Sequence, residues 1–224
     1  MIQSVGHHTI EKTGESIADR INSGPVKSTV FEENGEFKEK PPFAGDGYYF
    51  WEDNIDAANW WGERHYLTYG RQFRVFRIDL TLKYDDSSFF DLVGSRQHLR
   101  LLGNLINKTK KSIDCEGWKL HNFIAYFRLL NGRNKGMFPF KMVRFNDFSP
   151  NPKFQSPIYL RGLHHMTLMN PFYIVCVFEQ EDLDLKSFIF IKSLLTDKKR
   201  IINKTPHFQF VYEGYFETTK TTSP

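Results

Sequence analysis

Cysteine is scarce in this sequence, and long apolar runs are absent. The two cysteines, Cys115 and Cys176, lie far apart, which excludes a disulfide scaffold and a CxxC metal site. Such sparse cysteine is typical of a reducing, cytoplasmic compartment. No run approaches the roughly 18 apolar residues of a membrane span. The segment Met1–Val5 lacks the basic and apolar regions of a signal peptide, so none is predicted.

A large excess of charge of one sign is also lacking. Thirty Lys and Arg face 26 Asp and Glu, which gives a net charge of +4. The basic runs Lys108–Lys111 and Lys198–Arg200 are short. Runs of this length usually lie on solvated faces, and nucleic-acid binding is the alternative. Hydrophobic residues make up 40% of the chain and 22 residues are Phe, so the composition predicts a packed core.

The hydrophobic pattern predicts a mixture of strands and helices, and therefore an α+β fold. Strands are predicted at 4–10, 45–50, 73–82, 89–93, 141–145, 173–178 and 208–216. Helices are predicted between an N-cap at Thr13 and a stop at Gly24, over 54–66 after a cap at Asp53, over 95–110, over 117–131 before a stop at Gly132, and over 181–188. Residues 25–42 are expected to form a loop. We expect one domain over 1–217, with a helical insertion at about 95–135 and a flexible tail at 218–224.

Two short motifs stand close to the start of the chain. The first is Gly6-His7-His8-Thr9, at the end of the first predicted strand. The second is Gly45-Asp-Gly-Tyr-Tyr-Phe50, which is followed by a predicted helix containing Ala57-Ala-Asn-Trp60. Each motif alone is common in ordinary turns and strand ends. The order of the two motifs and the distance between them in the sequence are more informative than either motif alone.

With these motifs the chain resembles the ADP-ribosyltransferase superfamily, on its diphtheria-toxin and poly-ADP-ribose-polymerase side. In that family an early strand carries a His followed two residues later by Ser or Thr, and a Gly-x-Gly-x-Tyr-Phe-like strand comes later. The resemblance is strongest over about residues 4–61 and fades beyond residue 93. It implies split antiparallel β-sheets with flanking helices, with NAD as the substrate. It also implies an acceptor that is a protein or a nucleic acid, as in toxins, effectors and defence factors.

The resemblance also implies a set of site residues. His7 takes the place of the family His and would hold a ribose, and Tyr49 would stack on nicotinamide. The residues implied to bind NAD are His7, His8, Thr9, Gly47 and Tyr49. General chemistry agrees with these roles. An imidazole can hydrogen-bond a ribose hydroxyl, and a phenol ring can shield a flat heterocycle from water. Fixed contacts of this kind favour the oxocarbenium-like state through which the nicotinamide–ribose bond breaks.

The third family element, a Glu just ahead of a late strand, is the point of departure. Here Asn170, which cannot act as a base, lies in that stretch. The candidate catalytic carboxylates are Glu179, after the strand at 173–178, and Glu213. Since neither matches the family position, a binding module that holds NAD or ADP-ribose without turnover is the alternative function. A further alternative is that the chain is an unrelated α+β protein in which the two motifs occur by chance.

Two other features invite a functional interpretation. His164 and His165 are adjacent, and neighbouring strand residues point to opposite faces, so a metal site is not predicted. With Arg161 they are an alternative phosphate contact. The aromatic residues Trp51, Trp60, Trp61 and Tyr66 are expected in the core or over the pocket.

Overall fold

A computed structural model describes residues 2–32, 34–36, 38, 41–82, 88–147, 157–159, 166–168 and 172–194. These ranges contain four α-helices and nine strands. In chain order they are β1 (Ile2–Glu11), α1 (Ile17–Ser23), β2 (Tyr48–Glu52), α2 (Ile55–His65), β3 (Phe73–Leu82), β4 (Phe89–Asp91), α3 (Arg96–Ser112), α4 (Leu120–Arg133), β5 (Met142–Asp147), β6 (Pro157–Tyr159), β7 (Met166–Leu168), β8 (Phe172–Val177) and β9 (Ile189–Leu194).

Seven of these strands form one sheet, in the order β4-β5-β8-β2-β1-β3-β9. Strands β4 and β5 pair in parallel, whereas the other neighbours pair antiparallel. The fold is therefore mixed α+β, as predicted, and the sheet is mixed rather than purely antiparallel. Strands β6 and β7 form a separate two-stranded sheet.

The pairing between neighbouring strands is shortest at the centre of the sheet, between β1 and β2. Only Gly6 with Glu52 and His7 with Trp51 are paired there, whereas β1 pairs with β3 along its whole length. The two halves of the sheet, β1-β3-β9 and β2-β8-β5-β4, therefore meet over two residue pairs and separate beyond His7. This separation positions the motif residues described below.

Both faces of the sheet are covered by apolar side chains. On one face, which we call the α2 face because α2 packs there, lie Trp51, Phe73 and Phe145. The opposite face, which we call the Phe50 face, carries a second cluster that includes a stacked pair of Phe76 and Phe188. Because successive strand residues point to opposite faces, the two clusters assign the motif side chains to their faces.

Most predicted elements are present, but several predicted ends are wrong. The strand predicted at 45–50 is Tyr48–Glu52. Helix α1 is capped by Ser16 rather than Thr13, because the Ser16 side chain accepts from a backbone N–H in the first turn. In the same way Asn54, not Asp53, caps α2. Helix α4 begins at Leu120 rather than at 117, and it continues through Gly132 to Arg133.

The α-helix predicted over 181–188 is absent. This stretch instead holds two 3-10 turns, Gln180–Asp182 and Leu185–Ser187. The strand predicted over 208–216 and the tail at 218–224 lie outside the described residues.

Candidate functional site

His7 and Tyr49 lie on the same face of the sheet. His7 pairs with Trp51, and paired residues of antiparallel strands project to one side. Trp51 belongs to the core cluster of the α2 face, and Tyr49 packs against that cluster. The structure thus places on one face the two side chains on which the predicted NAD site depends most.

The imidazole of His7 is buried, and one of its nitrogens has no hydrogen bond. His7 is only 8% exposed, and its Nδ1 has no partner among the described residues. Burial lowers the pKa of His7, while a hydrogen bond with the Trp51 backbone and the charge of Asp53 oppose this effect. The ring is therefore neutral at pH 7. A buried polar atom without a partner costs about 1–3 kcal/mol, and a ligand hydroxyl that reached this nitrogen would remove that cost.

His8 occupies the gap where β1 and β2 separate, on the Phe50 face. Its Nε2 accepts a hydrogen bond from the backbone N–H of Val26 at 3.1 Å, so the proton of the neutral ring sits on Nδ1. Nδ1–H then donates to the Tyr49 carbonyl oxygen at 2.8 Å. Burial lowers the pKa of His8 to about 4. Both ring nitrogens are thus taken by the backbone, and a contact with NAD would require one of these bonds to break.

Thr9 ties the central strand to helix α2. Its hydroxyl donates to the Ala58 carbonyl oxygen at 2.7 Å, next to Asn59, whose Oδ1 is buried without a described hydrogen-bond partner. The hydroxyl fixes the position of the helix over the α2 face. Thr9 supports the surroundings of His7 in this way, and its contact with NAD stays a prediction.

The ring of Tyr49 is held in one orientation by its hydroxyl. This hydroxyl donates to the Gly45 carbonyl oxygen at 2.6 Å and accepts from the Ala44 N–H at 3.0 Å. The ring meets Phe145 edge to face, with centroids 6.4 Å apart. Burial raises the pKa of Tyr49 well above its ordinary value, so the phenol does not ionise in the physiological range. A fixed neutral ring is what stacking on a heterocycle needs.

Gly47 serves close packing between strands. A Cβ there would clash with Sγ of Cys176 and lie 2.9 Å from the Val177 carbonyl oxygen. The backbone of Gly47 also exchanges two hydrogen bonds with Ser28, at 2.8 and 3.0 Å. The glycine thus lets β2 approach β8, and its predicted contact with NAD stays a prediction.

Glu179 lies far from His7. The Glu179 carboxylate is 53% exposed and pairs with Lys27 at 3.2 Å and with Arg128 at 2.9 Å. In the pairing of β2 with β8, Tyr48 aligns with Val177. Glu179 is therefore about five positions along the strands from the His7 row, a separation of roughly 16 Å at 3.3 Å per residue. The structure does not bring the two together, and Glu213 lies outside the described residues.

The structure contains a buried group of charged side chains that the sequence pattern did not predict. Oε2 of Glu52 lies 2.6 Å from Nε of Arg144, and Oε1 accepts from the Ser4 hydroxyl at 3.3 Å. Asp91, which is 1% exposed, lies 3.7 Å from Arg144. Burial raises the pKa of Glu52, and Arg144 opposes that effect. Glu52 pairs with Gly6 and is thus on the opposite face from His7.

One acidic residue does act on His7. Asp53 adopts a positive φ of 48°, and its carboxylate accepts from the Val5 N–H at 2.9 Å. It also shares the Ser4 hydroxyl hydrogen with Glu52, at 3.0 Å from the Ser4 oxygen. Its charge raises the pKa of His7. The left-handed conformation and both hydrogen bonds depend on a neighbouring strand, so the sequence carried no signal for this role beyond the Asp after β2.

Two surface cavities in the described part of the chain lie elsewhere. One, of about 280 Å³, is bordered by Leu80, Met142 and Asp184, and the other, of about 610 Å³, by Lys27, Phe31 and Lys38. Neither includes His7 or Tyr49. The hydrogen bonding of His7, rather than cavity volume, therefore identifies the candidate site.

The chain matches no protein-family model, no curated protein and no solved structure. Among the described residues, no helix is long and apolar enough to cross a membrane. Within the same residues there is no group of three or more His, Cys, Asp or Glu side chains able to hold a metal ion. His164, His165 and Arg161 lie outside them.

Proposed function

We propose that this chain binds NAD on the α2 face of the sheet and transfers ADP-ribose from it to a macromolecular acceptor. The observation that carries the proposal is the buried, unpartnered Nδ1 of His7 on the same face as the fixed ring of Tyr49. The resemblance of the two motifs to ADP-ribosyltransferases supports the same site. The fold proposed on that basis is the ADP-ribosyltransferase-like one.

In this proposal His7 binds a ribose hydroxyl and Tyr49 stacks on nicotinamide. Bond breaking releases neutral nicotinamide, the acceptor nucleophile attacks the ribose carbon, and the acceptor's proton passes to solvent. Thr9 keeps α2 over the site through its bond to Ala58. The two free, buried cysteines support a reducing, cytoplasmic setting for the reaction.

A second candidate function is NAD or ADP-ribose binding without turnover. It is favoured by the position of Glu179, which is engaged by Lys27 and Arg128 rather than by the His7 row. A carboxylate that orients the ribose 2′-hydroxyl is needed for transfer and is dispensable for binding.

Release of nicotinamide from NAD separates the two functions. Purified protein is incubated with NAD, and free nicotinamide is quantified alongside equilibrium binding of NAD. Release that is lost in His7→Ala but kept in His65→Gln supports the transferase. Saturable binding without release supports the binding module. Absence of binding at millimolar NAD contradicts both.

A further inference from the structure

The net positive charge of the chain is concentrated in the segment that contains its two long helices. Residues 92–146 contain eleven Lys and Arg and only two Asp and Glu, although the whole chain has a net charge of only +4. The remainder is therefore net acidic. Neither α3 nor α4 contains any acidic residue. The basic segment is therefore much longer than the short run of lysines at 108–111.

On α3 the cations share the solvent-facing side. At 100° per residue, Arg96, Arg100 and Lys111 fall within an arc of about 60°. Lys110 lies about 40° beyond one edge of this arc and Lys108 about 60° beyond the other. All five are exposed, and none forms an ion pair with a residue in the described part of the chain. The helix thus presents a basic face about 22 Å long, with cations towards both ends.

The local rules of helix stability disfavour this arrangement. Arg96 and Arg100 are like charges spaced i, i+4, which destabilises a helix. They also lie in or next to the first turn, which has no acidic residue, where the helix dipole prefers anions. A segment that breaks local rules without a structural gain is characteristic of a functional surface.

We propose that the exposed face of α3 binds the phosphate backbone of double-stranded DNA. Asn104 and Asn107 lie among the cations on this face and are exposed, and amide side chains bind phosphates and base edges. This binding goes beyond the proposed NAD site and does not depend on it.

Other occupants fit the face less well. A membrane-surface helix must bury its apolar side, but Leu102, Leu105 and Ile106 already pack against the core. Single strands are held by aromatic stacking, and the exposed side of α3 has no aromatic residue. A protein interface centres on apolar anchors, whereas this face offers only Leu99 at its edge.

The salt dependence of binding to a 20-base-pair DNA duplex tests the inference, with fluorescence anisotropy measured without NAD. If the α3 cations make four to five phosphate contacts, the plot of log K against the logarithm of the salt concentration should have a slope of about −4. Arg100→Gln combined with Lys111→Gln should reduce this slope by about 1.8 and weaken binding at 0.1 M salt on the order of 50-fold. Glutamine preserves helix propensity, and circular dichroism verifies folding.

The matched control is Lys186→Gln combined with Lys192→Gln. These lysines lie in or just before β9, at the opposite edge of the sheet from β4, which α3 contacts. The control removes the same charge and should leave the slope unchanged. Equal losses in both double variants, no duplex binding at 50 mM salt, or tighter binding of single-stranded DNA, double-stranded RNA or phosphatidylserine vesicles would overturn the inference. Since NAD is absent, none of these outcomes bears on the NAD site.

Discussion

The neutral His8 ring between β1 and β2 should make the fold sensitive to mild acid. In the folded chain the pKa of His8 is lowered to about 4 from an ordinary 6.5 by burial, and the unfolded chain has the ordinary value. The folded state therefore prefers the neutral ring. Its contribution is fully present above pH 6.5 and falls as the pH drops towards 4. The two pKa values correspond to about 3 kcal/mol, lost at roughly 1.4 kcal/mol per pH unit.

The variant His8→Gln isolates this effect. Its carboxamide can donate to the Tyr49 carbonyl and accept from the Val26 N–H, as the imidazole does, but it does not titrate. Urea unfolding followed by tryptophan fluorescence is measured for both proteins between pH 4 and 8. Contributions from carboxylates, such as Glu52, cancel in the difference. The wild type should lose about 3 kcal/mol relative to the variant between pH 6.5 and 4.

A difference that stays constant over this range would refute the assignment of a buried neutral ring to His8. A difference that grows in favour of the wild type towards acid would mean that the folded state prefers imidazolium. As a second check, His8→Ala leaves both backbone groups without their partner and should cost about 3 kcal/mol at pH 7.5.

Three further predictions concern the site and the packing around it. Tyr49→Ala should weaken NAD binding by about 1–3 kcal/mol and His7→Ala by about 1 kcal/mol or more, measured by calorimetry. Gly47→Ala should destabilise the fold by about 1–3 kcal/mol in urea unfolding, because the added methyl group clashes with a cysteine sulfur of β8. Arg144→Leu should cost about 3–5 kcal/mol at pH 7, because it leaves the Glu52 carboxylate buried without its nearest cation.

Each of these predictions has its own contradicting result. Unchanged NAD affinity in both Tyr49→Ala and His7→Ala, with the fold intact, would mean that the site is misplaced. A Gly47→Ala variant as stable as the wild type would contradict the close approach of β2 and β8. For Arg144→Leu, a loss below 1 kcal/mol would show that the ion pair is solvated, and Arg144→Lys serves as its control.

Local patterns predicted the elements well where one face of the strand is buried. Strand β3 begins and ends at the predicted residues, since its apolar residues alternate with Arg77, Asp79 and Thr81. The ends of helices were less predictable. Thr13 and Ser16 are both good capping residues, and only the folded backbone decides which side chain meets the free N–H groups.

The candidate site was predictable only in part. Alternation along β1 and β2 decides which side chains share a face within each strand, but whether His7 and Tyr49 share one depends on the pairing register. The two hydrogen bonds of the His8 ring with backbone groups depend on where the two strands separate. The Glu52–Arg144 pair joins residues 92 positions apart, and no local pattern links them.

The most direct test of the NAD site is the response of the His7 side chain to NAD. Long-range ¹H–¹⁵N NMR correlations resolve the imidazole nitrogens of each histidine during a titration. Our account predicts that the ¹⁵N chemical shift of His7 Nδ1 changes with NAD concentration and saturates. The ¹⁵N chemical shifts of His98, which lies on α3, should stay unchanged. Binding of NAD that moves other histidines and leaves His7 unchanged would contradict it.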